Sequence, residues 1–193
     1  MYNPSRNPQV QYSLRQLTES LFSCLQSEPL ENITVTEICQ RAGLTRRTFY
    51  RNCREKKDLV LYACDWLVEQ LVAGVDYSSS DALALYRNFF AYWYEHRVFL
   101  GCVYRRGLFD LFADRFISIC NRRQPFPLQE EALSRRPDPE GARRFNNSFL
   151  LGGLSRMLYA WAEEDFRTGV EELVRSILFL LPREYQREDG PEG

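Results

Sequence analysis

TVTEICQRAGLTRRTFYRNCREKKDL, residues 34–59, is the stretch on which the fold of this chain turns. Between Arg41 and Lys57 it carries seven basic side chains against one acid, in a chain whose formal net charge is −1. Thr34 and Glu37 have the spacing of a capping box, in which the threonine oxygen accepts a backbone N–H and the glutamate returns to the N–H of the cap, so a helix is predicted from Thr34. Gly43 can take the left-handed conformation that closes such a helix, and Thr45 is suited to cap the next one. Cys39 places a small side chain where two steeply crossing helices need close backbones. Ile38, Ala42, Leu44 and Phe49 can fill the space between them. The prediction is helix, tight turn, helix.

The second of these helices, about Arg46 to Cys53, explains the charge if it lies in the major groove of double-stranded DNA. Arg46 and Arg47 in its first turn can reach base edges, since one guanidinium can donate to both O6 and N7 of guanine. Thr45, Thr48, Tyr50 and Arg51 carry donors suited to phosphate oxygens, and Lys56 with Lys57 opens another helix, a natural anion site. Thr34 and Thr36 complete the candidate DNA-facing set. The bland alternative is that the arginines at 41, 46, 47, 51 and 54 form a solvated face, as charge runs usually do. The capping box, the glycine turn and the basic second helix agree independently on DNA.

Around this stretch the chain reads as helix nearly everywhere. Leu14, Leu17, Leu21 and Leu25 recur at spacings of three and four, as do Val170, Leu173, Val174, Ile177, Leu178 and Leu181. No strand alternation stands out, and the fold class expected is all-α. Breaks are expected at Glu28 to Asn32 around Pro29, at Ser78 to Ser80, and across Arg122 to Pro139, where four prolines oppose regular helix. The tail after Pro182 reads as polar. Residues 1–60 hold 9 Lys and Arg against 6 Asp and Glu, a net of +3, which leaves 16 against 20 for residues 61–193. This asymmetry gives the two parts different partners and leaves room for a local polyanion site within residues 1–60.

Several classes are disfavoured. The charge-free apolar runs, such as that from Phe145 to Ser155, fall short of the roughly 20 residues a membrane span needs. The N-terminal stretch lacks the pattern of a secretory signal, so a cytoplasmic, reducing location is expected. Six cysteines stand 15, 14, 11, 38 and 18 residues apart, with no tight metal-ligand pair, and the chain has one histidine. They read as buried free thiols, a redox-sensing pair being the sharper alternative, and neither metal nor cofactor is expected. With no G-x-S-x-G and no phosphate-cradling glycine loop, catalysis is not expected.

Residues 14–66 resemble the DNA-binding domain of TetR/AcrR-family regulators, whose pattern is T-V-x-x-I-x-x-x-A-G-V-S-x-x-T-F-Y followed by K-x-x-L. Here it reads ITVTEICQRAGLTRRTFYRNCREKKDL, with Gly43, Thr45, Phe49, Tyr50, Lys56 and Leu59 at the family's positions. The resemblance implies a dimeric repressor on a palindromic operator, with phosphate contacts at Thr45, Tyr50 and Lys56 and base contacts at Arg46 and Arg47. Asn52 and Cys53 stand where the family commonly has His and Phe, and Arg47 replaces a frequent glycine. The last change adds a donor in the groove.

The resemblance implies a helix-turn-helix DNA-binding domain at 1–60 and a helical ligand-binding and dimerisation domain at 61–193, and the residues after 66 look like a regulatory bundle. FLLGGLSRMLYAWAEEDF and TGVEELVRSILFLL predict two apolar-faced helices. In family terms this pair resembles the one that meets its symmetry mate, with Phe149, Gly152, Gly153, Leu173, Ile177 and Leu181 as the candidate interface, although an internal core pair would look similar. The aromatic stretch between Leu85 and Phe116 is read as mostly core. A small apolar or aromatic ligand would suit Phe89, Tyr92, Trp93, His96, Tyr104 and Phe112. Two alternatives stay open: a protein-interaction module whose basic helix takes an acidic partner, and a regulator without a small-molecule effector.

Overall fold

The structure, a computed structural model, describes Tyr2 and residues 7–74, 82–123 and 137–178. Nine α-helices and no strand occupy these residues: α1 (Pro8–Leu25), α2 (Val35–Arg41), α3 (Arg46–Asn52), α4 (Lys57–Ala73), α5 (Ala82–Glu95), α6 (Arg97–Arg105), α7 (Phe109–Arg123), α8 (Pro139–Glu163) and α9 (Val170–Leu178).

The start of α1 is set locally: Pro8 has no N–H to leave unpaired, and the Asn7 side chain accepts the Gln9 N–H at 2.9 Å. The leucine stripe at 14, 17, 21 and 25 is buried, and α1 packs on α4, α2 and α3. Ser20, also buried, donates its hydroxyl to the Ile38 carbonyl at 2.8 Å and pins α2 to α1. The loop around Pro29 turns between them and sends Leu30 and Ile33 into the core.

α4 packs on α1 at one side and on α7 at the other, which is why it is apolar nearly all round, with Leu59, Val60, Cys64, Leu67, Val68 and Leu71 buried. A boundary after residue 60 therefore falls inside the first turns of a helix that both parts share. Midway along it, Asp65 takes the Arg115 guanidinium of α7 on both carboxylate oxygens and accepts the Tyr2 hydroxyl. A second tie closes the junction. Arg106, just past α6, donates from Nε to the Leu25 carbonyl at 2.6 Å and from Nη2 to that of Gln26 at 2.9 Å, holding the end of α1.

Behind α4 the bundle is filled by rings: Phe89, Phe90 and Trp93 from α5, Phe109, Phe112 and Phe116 from α7, and Trp161 from α8 are all buried. Trp93 meets Phe112 edge-on at 5.2 Å and Phe90 meets Trp161 at 6.0 Å, the geometry that ring quadrupoles favour. All six cysteines are free and buried, and burial pushes every thiol up, those of Cys53 and Cys120 to about 12.

Helix reaches into both ends of the proline-containing stretch, where composition predicts a break. α7 continues through Arg123, and Pro139 opens α8 instead of blocking it, because proline at the first helical position has no N–H to lose. Asp138 caps that start by accepting the Gly141 N–H at 2.9 Å. Ser78 to Ser80, Pro125, Pro127 and everything after Leu178 lie outside the described residues.

Candidate nucleic-acid interface

α2, its turn and α3 are built from local signals. Thr34 Oγ1 accepts the Glu37 N–H at 3.1 Å. Glu37 does not return to the cap; its carboxylate meets Arg41 one turn on at 3.3 Å and the Cys24 thiol at 3.6 Å. Only half of the predicted capping box is made, because an ion pair competes for the glutamate. At the other end Gly43 sits at φ +64°, with the Leu44 N–H bonded to the Cys39 carbonyl at 2.9 Å and the Gly43 N–H to that of Gln40 at 3.2 Å. This paired closure requires a left-handed residue, which glycine adopts without a Cβ penalty.

Thr45 then caps α3, its Oγ1 accepting the Thr48 N–H at 3.1 Å while the two hydroxyls lie 3.0 Å apart. Phe49 is fully buried and fixes the inner side of α3. Arg46 with Tyr50, and Arg47 with Arg51, are four-residue pairs on successive turns of the opposite side, and all four are exposed. Tyr50 is 53% exposed and packs edge-on against Phe49 at 5.2 Å. The Arg46 guanidinium lies 5.9 Å from the Tyr50 ring centre, within the reach of a cation–π contact. Thr36 is exposed on α2. The departures at 52 and 53 are accommodated inside: both side chains are buried, and Asn52 Nδ2 donates to the Thr48 carbonyl at 3.0 Å.

Lys56 is placed differently from its neighbours. Its ammonium turns inward to the loop between α1 and α2 and donates to the carbonyls of Leu30 at 2.6 Å, Glu31 at 3.3 Å and Ile33. Three N–H bonds thus meet three carbonyls that the irregular loop leaves without a helical or sheet partner. Sequence reasoning missed this role. Its one available signal was the loop itself, whose turn residues imply orphan carbonyls. Asp58 was missed as well: buried at the start of α4, it accepts the Arg54 N–H at 2.8 Å and so shapes the turn after α3.

The six aromatic and histidine residues considered for a ligand do not surround one space. Phe89, Trp93 and Phe112 are close-packed core, and large rings at interior density leave no room between them. Tyr92 donates its hydroxyl to the Leu67 carbonyl at 2.6 Å, and Tyr104 reaches Glu163 of α8 at 3.3 Å. His96, half-buried between α5 and α6, faces a cavity of about 350 Å³ against α1 and α4. Among the described residues no three His, Cys, Asp or Glu side chains gather where they could share a metal ion. No helix there is long and apolar enough to cross a membrane.

Of the residues considered for a subunit interface, Phe149 is 77% exposed on α8, with Gly153 exposed one turn further and Gly152 half-buried. Ile177 is buried inside the chain, and Leu173 is half-buried on α9. Leu181 lies outside the described residues.

No family profile matches the sequence, and no curated protein does. Solved structures do. Lin0861 from Listeria innocua is similar over 96% of this chain and 97% of its own, at 15% identity and a TM-score of 0.68. A TetR transcriptional regulator from Streptococcus agalactiae 2603V is similar over 91% and 96%, at 19% identity and a TM-score of 0.63. The dihydroxyacetone kinase operon activator DhaS covers 90% and 96%, at 17% identity and a TM-score of 0.50. Since the likeness runs through both the helix-turn-helix and the bundle behind it, the fold of this all-α chain is that of a TetR transcriptional regulator.

Proposed function

We propose that this chain is a sequence-specific, homodimeric DNA-binding transcription regulator of the TetR type, a repressor, acting on a palindromic operator in the cytoplasm. The observation that carries this reading is α3, where Arg46, Arg47, Tyr50 and Arg51 share one exposed face and Phe49 anchors the other. A short helix presented this way can enter a major groove, with its arginines at base edges and Tyr50 and the threonines at phosphates. The structural likeness to a TetR transcriptional regulator and to an operon activator supports regulation over catalysis. In this reading residues 1–60 read DNA and residues 61–193 join the subunits.

Two copies of α3 related by a two-fold axis would meet successive major grooves roughly 34 Å apart. α8 supports such an axis, because Phe145 and Phe149 are left exposed one turn apart beside Gly153. The test is fluorescence anisotropy of the protein on duplex from its own upstream region against a scrambled duplex, across salt concentrations. Selectivity for its own region that survives added salt is the expected result. Weak, equal binding that salt erases would mean α3 touches only phosphates, and the reading would fail.

A further inference from the structure

The cavity of about 350 Å³ beside His96 lies between parts of the chain that the DNA-binding reading assigns to different tasks. α1 contributes Arg15, Thr18, Glu19 and Phe22, α4 contributes Tyr62, Ala63, Trp66 and Leu67, and the α5–α6 joint contributes His96 and Phe99. Phe22 and Phe99 meet across the junction with ring centres 5.1 Å apart and form one wall. Trp66 forms part of another and is 46% exposed, whereas Trp93 and Trp161 are buried. A half-exposed indole beside a ring-lined hollow is a large apolar surface that the fold itself does not cover.

Charge at this site balances. Arg15 and Glu19, one helical turn apart on α1, bring opposite signs to the wall. Burial holds His96 towards its neutral form, against the opposing pull of the neighbouring Glu95 carboxylate. The space is within the range of small-molecule sites, room for roughly two or three aromatic rings.

We infer that this crevice between α1, α4 and the α5–α6 joint binds a neutral, planar aromatic small molecule, stacked among Phe22, Trp66 and Phe99. Such an occupant touches the DNA-binding part and the bundle together. Its consequence for DNA rests on the proposed function: by binding one arrangement of α1 against α6 better than another, it shifts the population of DNA-competent dimers. Arg106, which ties the end of α1 to α6, lies on the same junction.

The probe for the test is N-phenyl-1-naphthylamine, a neutral dye that fluoresces when buried, titrated into the full chain. The expected result is saturable binding of one dye per chain. Ala63→Phe, which puts a ring into the hollow, should weaken it at least tenfold with helix content by circular dichroism unchanged. Trp66→Ala, at a half-exposed position that leaves the core alone, should weaken it severalfold and carries the test if the first variant does not fold. Absence of saturable binding, or equal affinity in wild type and Trp66→Ala, overturns the site. A repeat of the operator titration with dye present separates the two ideas. Dye binding that follows the variants but leaves DNA affinity unchanged keeps the site and removes its regulatory role, whereas failure of selective DNA binding removes the regulator reading and leaves the site standing.

Discussion

Arg46 and Lys56 stand ten residues apart and are both cationic, yet their surroundings differ. Arg46 is exposed on α3 with its guanidinium near Tyr50. Arg46→Ala should cost about 1–3 kcal/mol of operator binding and relax preference at one base pair, read as affinities on operator variants. An equal loss on every duplex would make it a phosphate contact instead. Lys56 spends its ammonium on the carbonyls of Leu30, Glu31 and Ile33. Lys56→Met keeps the stem and removes those bonds, so thermal unfolding should fall by an amount on the order of 1–3 kcal/mol while the salt dependence of DNA binding stays put. A smaller salt slope with an unchanged melting temperature would show the ammonium reaching a phosphate after all. Nothing in the sequence around Lys56 separates these outcomes, because an ammonium on a flexible stem goes where unpaired acceptors are, and these come from a loop 23 to 26 residues away.

Among the elements, the turn between α2 and α3 depends on one backbone angle. A Cβ added at Gly43 meets nothing within 4 Å, so the cost of Gly43→Ala is conformational alone, about 1–2 kcal/mol from holding an L-residue left-handed. Urea unfolding should show that loss, and an unchanged midpoint would mean the paired closure is not needed. This turn was legible because its chemistry is local. The α5–α6 joint was not. His96 lies there between Tyr92, whose ring is 4.5 Å away, and the cavity wall that includes Arg15 and Glu19. Burial lowers its pKa despite Glu95, so below about pH 6.5 the unfolded chain takes up its proton first and the folded state loses stability until its own lower pKa is passed. Between pH 7.5 and 5.5 the wild type should therefore lose more melting temperature than His96→Gln, and a parallel decline in both would show that this ring is not responsible.

For the whole molecule the question is what covers α8. Phe145 and Phe149 are 68% and 77% exposed, and neither is used by the chain's own core. In the proposed dimer they meet the partner. Phe149→Asp should halve the mass seen by sedimentation velocity and lower operator affinity at least tenfold, about 1.4 kcal/mol or more, since one α3 per molecule reads only half a palindrome. A variant that stays dimeric would move the interface elsewhere. The sequence pointed to Phe149 and to the adjacent glycines, but it grouped Ile177 with them, and Ile177 turns out to face its own bundle. A single apolar stripe reads the same whether it is buried inside or between subunits.

What the amino-acid sequence determined by itself was set within one or two helical turns, although the Glu37 side chain, drawn to Arg41, and Pro139, which opens a helix, departed from the local reading. The caps at Thr34 and Thr45, the left-handed stop at Gly43, the leucine stripe of α1 and the basic face of α3 all follow from propensity, capping and periodicity. Tertiary structure decided where long-range partners went. It turned Lys56 inward, made α4 a helix common to both parts, packed Phe89, Trp93 and Phe112 solid, and left the hollow among α1, α4 and the α5–α6 joint. Those outcomes depend on which surfaces meet across tens of residues, and hydrophobic packing, being non-directional, records in the sequence that a side chain is buried but not what it is buried against.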